Sequence, residues 1–281
     1  MATVVLNRRC ACQRDARLVT REMTLPVLRP AHRSARLLAA GLALCGCAVS
    51  TGTSSTSGTG TSTSGAAAAG QCTTGLARDL DSALAILTDP PGCAGSVNSY
   101  WREQLGEKWT RVRFIGYNDG EAPADACGAQ AANPASLADN AFYCPQDDTV
   151  AYSRNLLGQL YEAGGPYLPV VVLEHELGHR ANALAGVVGV VPRAEENQAD
   201  CDAGVTTKYA RKAGRLPFSD VLASAQLLYK LGDRRQFGKE QATDPNAHGT
   251  PGQRLVAFTK GYTFGLSSCR KLGQRTDGRT I

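Results

Sequence analysis

Residues 48–71 of this 281-residue chain are almost entirely Ser, Thr, Gly and Ala. Such a stretch cannot bury enough apolar surface to offset the entropy of ordering it, so a packed core has to lie wholly to one side of it. The N-terminal side is short and strongly basic, with eight Arg against two acidic residues in positions 1–46. The C-terminal side, 72–281, carries the regular apolar patterning and is long enough for one sizeable core. The chain therefore divides into a leader (1–47), a tether (48–71) and one domain (72–281). As a flexible coil the tether would reach about 25–30 Å. The formal charge of +5 belongs to the leader, because the rest holds 22 basic against 23 acidic side chains. Nucleic acid is thus not an expected partner of the domain.

Within the leader, Arg29, Arg33 and Arg36 precede an apolar run from Leu37 to Leu44. That charge and length fit a secretory signal and are too short for a permanent membrane span. The basic region begins naturally at Met23, which points to an over-extended start, with a long leader as the alternative. Leu44-Cys45-Gly46-Cys47 resembles a bacterial lipoprotein signal, in which Cys47 would carry the lipid anchor. Cys45 departs from the small residues usual there, which keeps plain secretion open. Both readings export the domain from a bacterial cell.

Six cysteines follow Cys47, an even number that suits disulfides in an exported protein. Proximity in sequence pairs Cys72 with Cys93 and Cys127 with Cys144, leaving Cys201 for Cys269, against the alternative of free buried thiols.

Apolar residues recur at helical spacing from Leu76 to Leu87, until Asp89-Pro90-Pro91-Gly92 stops them. A second helix is expected near Tyr100 to Trp109. Alternation marks strands at 111–117 and 148–153. Helices are then expected at 154–163, 168–185, 195–213, 219–231 and 251–262. The last starts at Thr250-Pro251-Gly252-Gln253, a capping box with proline in the first turn. Strands early and helices late give an α+β domain.

The chemistry lies in His175-Glu176-Leu177-Gly178-His179, inside the 168–185 helix. On a helix the two histidines stand one turn apart on one face, where both imidazoles can reach one ion. Glu176 stands about 100° round, beside the metal, placed to act as a general base on water. Downstream, Glu196 and Asp200 are again four residues apart on an expected helix. His175, His179 and Glu196 make a three-ligand zinc set with an open position, and Asp200 would orient a zinc-bound imidazole. The competing reading makes Glu195, Glu196 and Asp200 a solvated helix face.

This pattern, with Glu196-Asn197-Gln198-Ala199-Asp200-Cys201 after H-E-x-x-H, resembles the bacterial putative neutral zinc metallopeptidase family. Phe142-Tyr143-Cys144-Pro145, His248-Gly249-Thr250 and Gln253-Arg254 look like its other recurrent segments, over roughly 95–270. The resemblance implies a zincin-like fold in which a mixed sheet lies over the metal helix and an edge strand pairs with an extended peptide. Asp148 to Ser153 is the expected edge strand. Where members often carry a further His and then a Gln after the second ligand, this chain has Arg180, Ala181 and Asn182, which leaves the pocket wall on that side open.

His248 is a candidate oxyanion donor or, alternatively, a residue that organises the entry to the last helix. Tyr262 and Tyr209 are weaker donor candidates. The expected function is a zinc-dependent endopeptidase of the cell envelope acting on peptide or protein substrates. The rivals are a catalytically silent zinc-binding envelope lipoprotein with a scaffold or partner-binding role, and a non-peptidase zinc hydrolase.

Overall fold

The computed structural model describes residues 71–121, 123, 127, 137–233, 242–244 and 247–281. The leader with Met23 and Cys47, and the tether up to residue 70, lie outside the described residues. Those residues form a mostly helical α+β domain with a small sheet. Among them no helix is long and apolar enough to cross a membrane.

Helix α1 (Leu80–Thr88) begins later than its apolar pattern, because Asp79 and Ser82 form a capping box that fixes the first turn. Helix α2 (Val97–Leu105) is capped by Ser96 and runs into a short 3₁₀ turn ending at Lys108. Strand β1 (Arg113–Tyr117) follows, then β2 (Ala141–Cys144) and β3 (Thr149–Ser153). Helices α3 (Arg154–Gly164), α4 (Tyr167–Ala185), α5 (Pro192–Lys212), α6 (Phe218–Leu231), α7 (Pro251–Phe264) and α8 (Leu266–Gly273) complete the domain. Neither β2 nor α8 is among the elements expected from the sequence. The latter is split from α7 by Gly265 at φ 79°, a left-handed residue that ends one helix and starts the next.

The sheet order is β1-β3-β2, with β1 parallel and β2 antiparallel to β3. This overturns the choice of Asp148 to Ser153 as the edge strand: β3 is central, and β2 lies on an edge. The alternation in β3 misleads because its polar residues are buried with their hydroxyls bonded. The Thr149 hydroxyl donates to the Asp147 carbonyl, and Ser153 donates to Asp119 while capping α3.

Helix α4 is the hub, packed by α1, α3, α5 and β2. Its residues Leu173 and Leu177 are buried, with Leu184 partly so, together with Trp101, Trp109, Tyr167 and Phe258. Each large apolar side chain taken out of water contributes about 1.5–3 kcal/mol. Helices α4 and α5 cross closely, since a Cβ at Gly178 would stand 3.0 Å from the Ala199 backbone. The three expected disulfides are present, and Cys201–Cys269 ties α5 to α8.

Candidate metal centre

The crossing at Gly178 and Ala199 sets the site, because within one turn of it on each helix lie the side chains that converge. His175, His179 and Glu196 each offer a ligand atom, all within 4.8 Å of one another. The two Nε2 atoms are 3.2 Å apart, and each lies 3.3 Å from an oxygen of Glu196. Tetrahedral zinc with bonds of about 2.0–2.1 Å has ligand-to-ligand edges of about 3.3–3.4 Å, so the spacing suits that ion. Three further observations fit a cation. His175 Nδ1 lies 2.8 Å from Asp200 Oδ1, which fixes the proton on Nδ1 and turns the Nε2 lone pair inward. His179 Nδ1 faces Glu195 at 3.5 Å, which turns the Nε2 of the second ring toward the same point. Finally, Glu196 Oε2 is buried without a hydrogen-bond partner.

Charge in the site runs the same way. Burial opposes the imidazolium of His175, but Asp200 and Glu196 outweigh it and raise the group to about 9. His179 is likewise held well above its ordinary value, chiefly by Glu196 and Glu195, against the opposing effect of burial. Glu196 is held well below the carboxylate range despite its burial, by the two histidines. A divalent ion bound between these groups would take the place of such protons.

Asp200 is fully buried and accepts from His175 on one side and from the Arg254 fork on the other, at 2.7 and 2.8 Å. Burial works against its charge, yet Arg254 and His175 lower its pKa. The contact is a carboxylate–imidazole bond to the ring nitrogen of His175 that faces away from Glu196. The solvated-face reading of this helix fails at Asp200 and Glu196 and holds only in part for Glu195, whose side chain is 38% exposed.

Glu176 projects beside the ligands, and its Oε2 accepts the backbone N–H of Tyr143 in β2 at 2.9 Å. Burial raises its pKa, while His175, His179 and the Tyr143 amide pull it back.

His248 is not brought into this group. Its side chain is 56% exposed and faces Asp233 at 3.9 Å, while Asp233 Oδ2 accepts the backbone N–H groups of His248 and Gly249. The residue organises the loop before the Thr250 capping box, the second of its two sequence readings. The Tyr209 hydroxyl donates to Glu103, and Tyr262 packs against the core.

Sequence reasoning named Arg254 only within a recurrent segment and gave it no role. Its position four residues after the Thr250 N-cap was readable, but its partner lies 54 positions away. Arg180, Ala181 and Asn182 are all buried. Arg180 pairs with Asp148, Ala181 is core, and Asn182 joins a buried polar network with Gln198 and Asp202.

Comparison with known proteins agrees with this centre. The sequence signature of the family described as "Putative neutral zinc metallopeptidase" matches residues 27–271. The uncharacterized protein Rv2575 of Mycobacterium tuberculosis is 28% identical over 223 residues, covering 69% of this chain and 72% of that protein. The uncharacterized protein YpfJ of Escherichia coli K12 is 25% identical over 194 residues, covering 61% of this chain and 65% of that protein. No solved structure matches the chain.

Proposed function

The chain belongs to the putative neutral zinc metallopeptidase family, and from that membership and the geometry of the site we propose that it is a zinc-dependent endopeptidase of the bacterial cell envelope. The observation that carries the reading is the set of His175, His179 and Glu196 donor atoms turned toward one point, with the Glu176 carboxylate beside them. Two imidazoles and one carboxylate would hold zinc and leave one position open. The ion supplies Lewis acidity toward water and toward a substrate carbonyl. Glu176 takes a proton from the attacking water at a carboxylate oxygen and later delivers it to the departing amine nitrogen. Asp200, backed by Arg254, keeps the His175 ring in its tautomer while charge develops nearby.

Substrate binding is assigned to β2. Tyr143 lies opposite Val150 of β3, but its N–H turns to Glu176. In an antiparallel ladder alternate residues turn both backbone groups away from the partner, so Ala141 shares that outward direction, where its N–H donates to Asn140 Oδ1 and its carbonyl is left to meet a peptide. An extended peptide laid along this edge would run beside the metal helix, a strand-addition mode. The disulfides suit an oxidising compartment, and the tether with a lipid on Cys47 would hold the domain at the envelope.

The test is digestion of a peptide library by the zinc-loaded protein, with and without chelator, beside Glu176→Gln. Chelator-sensitive cleavage that disappears in Glu176→Gln while zinc is retained is the expected result. Full cleavage by a zinc-replete Glu176→Gln sample would remove Glu176 from its role. A zinc-loaded wild type that cleaves nothing would leave the silent zinc-binding lipoprotein as the better reading.

A further inference from the structure

Immediately after the second histidine of the motif, Arg180 is fully buried and its charge is met on three sides. Its Nε and one terminal nitrogen fork onto the two oxygens of Asp148, both at 2.7 Å. The same terminal nitrogen reaches the Thr110 hydroxyl at 2.9 Å, and the other reaches the Thr110 carbonyl at 3.4 Å. The guanidinium plane stacks on Trp109, 4.2 Å from the ring centre. A planar five-donor cation meets all of these partners at once, which an ammonium could not.

Asp148 is the last residue of the turn between β2 and β3, held at φ 53°, a left-handed backbone that only a few residue types adopt readily. One of its oxygens also accepts the Tyr143 hydroxyl at 3.1 Å. The backbone N–H of that tyrosine is the one bound to Glu176. Strand β2 is thus fastened to the metal helix twice, by its own amide on the catalytic base and by its hairpin turn on Arg180.

We propose that Arg180 is a positioning residue that holds the edge strand β2 in register against the metal helix, and so sets how tightly an extended peptide is bound beside the metal. The proposal rests on the reading of β2 as the peptide-binding edge. A charge directly beside the motif would ordinarily be taken for a surface group. Here it reaches across to the hairpin that carries the edge strand and touches none of the three donor atoms. Its loss moves the strand relative to the metal and leaves the ligand set in place.

The experiment compares wild type, Arg180→Met and Asp148→Asn, each zinc-loaded, in two measurements. Asp148→Asn cuts the carboxylate fork to a single acceptor oxygen at a φ of 53° that asparagine adopts readily, so it serves even where Arg180→Met folds poorly. The first measurement is amide hydrogen exchange across residues 141–148. Exchange there is expected to accelerate about tenfold or more in both variants, with α4 and the zinc stoichiometry unchanged. Unchanged exchange in the hairpin overturns the proposal, whether or not any peptide is cleaved. The second is hydrolysis of a long peptide that spans β2 and of a blocked dipeptide too short to do so. For the long peptide KM is expected to rise about tenfold while kcat stays within about twofold, and the short one is expected to be unaffected. Equal losses on both peptides would make Arg180 a purely structural residue and overturn the proposal. A wild type that hydrolyses neither peptide refutes the peptidase reading instead, and the exchange data then decide whether the clamp exists.

Discussion

Gly261 in α7 faces the backbone of α5, and replacing it by alanine tests how the metal centre is supported. A Cβ there would lie 1.8 Å from the Cys201 carbonyl oxygen, with Gly204 making the reciprocal approach to Phe258. A real Cβ essentially never comes within 3.0 Å and ordinary contact begins at 3.4 Å, so the two helices would have to part by roughly 1.2–1.6 Å. Arg254 lies on the same face of α7, two turns earlier, bonded to Asp200 at 2.7–2.8 Å. A shift of that size takes both bonds past about 3.5 Å in a buried setting where each charge depends on the other. Overpacking of a core costs about 1–3 kcal/mol, and a weakened buried ion pair adds to it, so about 3 kcal/mol or more of stability is lost. For a domain of this size that lowers Tm by roughly 6–12 °C. Thermal unfolding of the zinc-loaded Gly261→Ala protein, followed by circular dichroism, reads this directly. A Tm within about 2 °C of wild type would mean that the close crossing does not hold Arg254 on Asp200.

Two further outcomes follow from the site and its surroundings. Asp200→Asn should weaken zinc binding about 10–100-fold in competition with a chromogenic chelator, because His175 loses the carboxylate that orients it; unchanged affinity would show that the bond is incidental. Burial raises Asp202 to about 8 from an ordinary 3.8, so the unfolded chain releases this proton near pH 4 while the folded one keeps it until about pH 8. Its contribution to stability is therefore complete below pH 4 and is lost as the pH rises to about 8, a change of the order of a few kcal/mol. Asp202→Asn removes that loss, so its urea midpoint should gain on wild type between pH 5 and 8.5; a constant difference would refute the buried neutral carboxyl.

What could be read from the sequence is what depends on local spacing. Two histidines four apart, and Glu196 with Asp200 four apart, need only the helical period to become two ligand faces. The three disulfides followed from proximity along the chain and elimination. What could not be read depends on partners far along the chain. Strand β2 has four residues, too few for an alternation to declare itself, and the position of β3 at the sheet centre is decided by neighbours rather than by its own pattern. Arg180 and Arg254 could not be given their partners, because nothing nearby in sequence announces Asp148 or Asp200. The burial of Thr149 and Ser153 rests on side-chain bonds that hydropathy does not register. His248 carried two readings in the sequence, and its exposed place beside Asp233 before the Thr250 capping box fits the helix-entry one.

Zinc content settles whether two helices share one ion. Purified wild type should bind one zinc per chain, and Glu196→Ala should lose it at equal protein concentration while the metal-free forms of both unfold at the same temperature. One zinc per chain in Glu196→Ala, bound as tightly as in wild type, would mean that this carboxylate is no ligand and that the assignment of the centre is wrong.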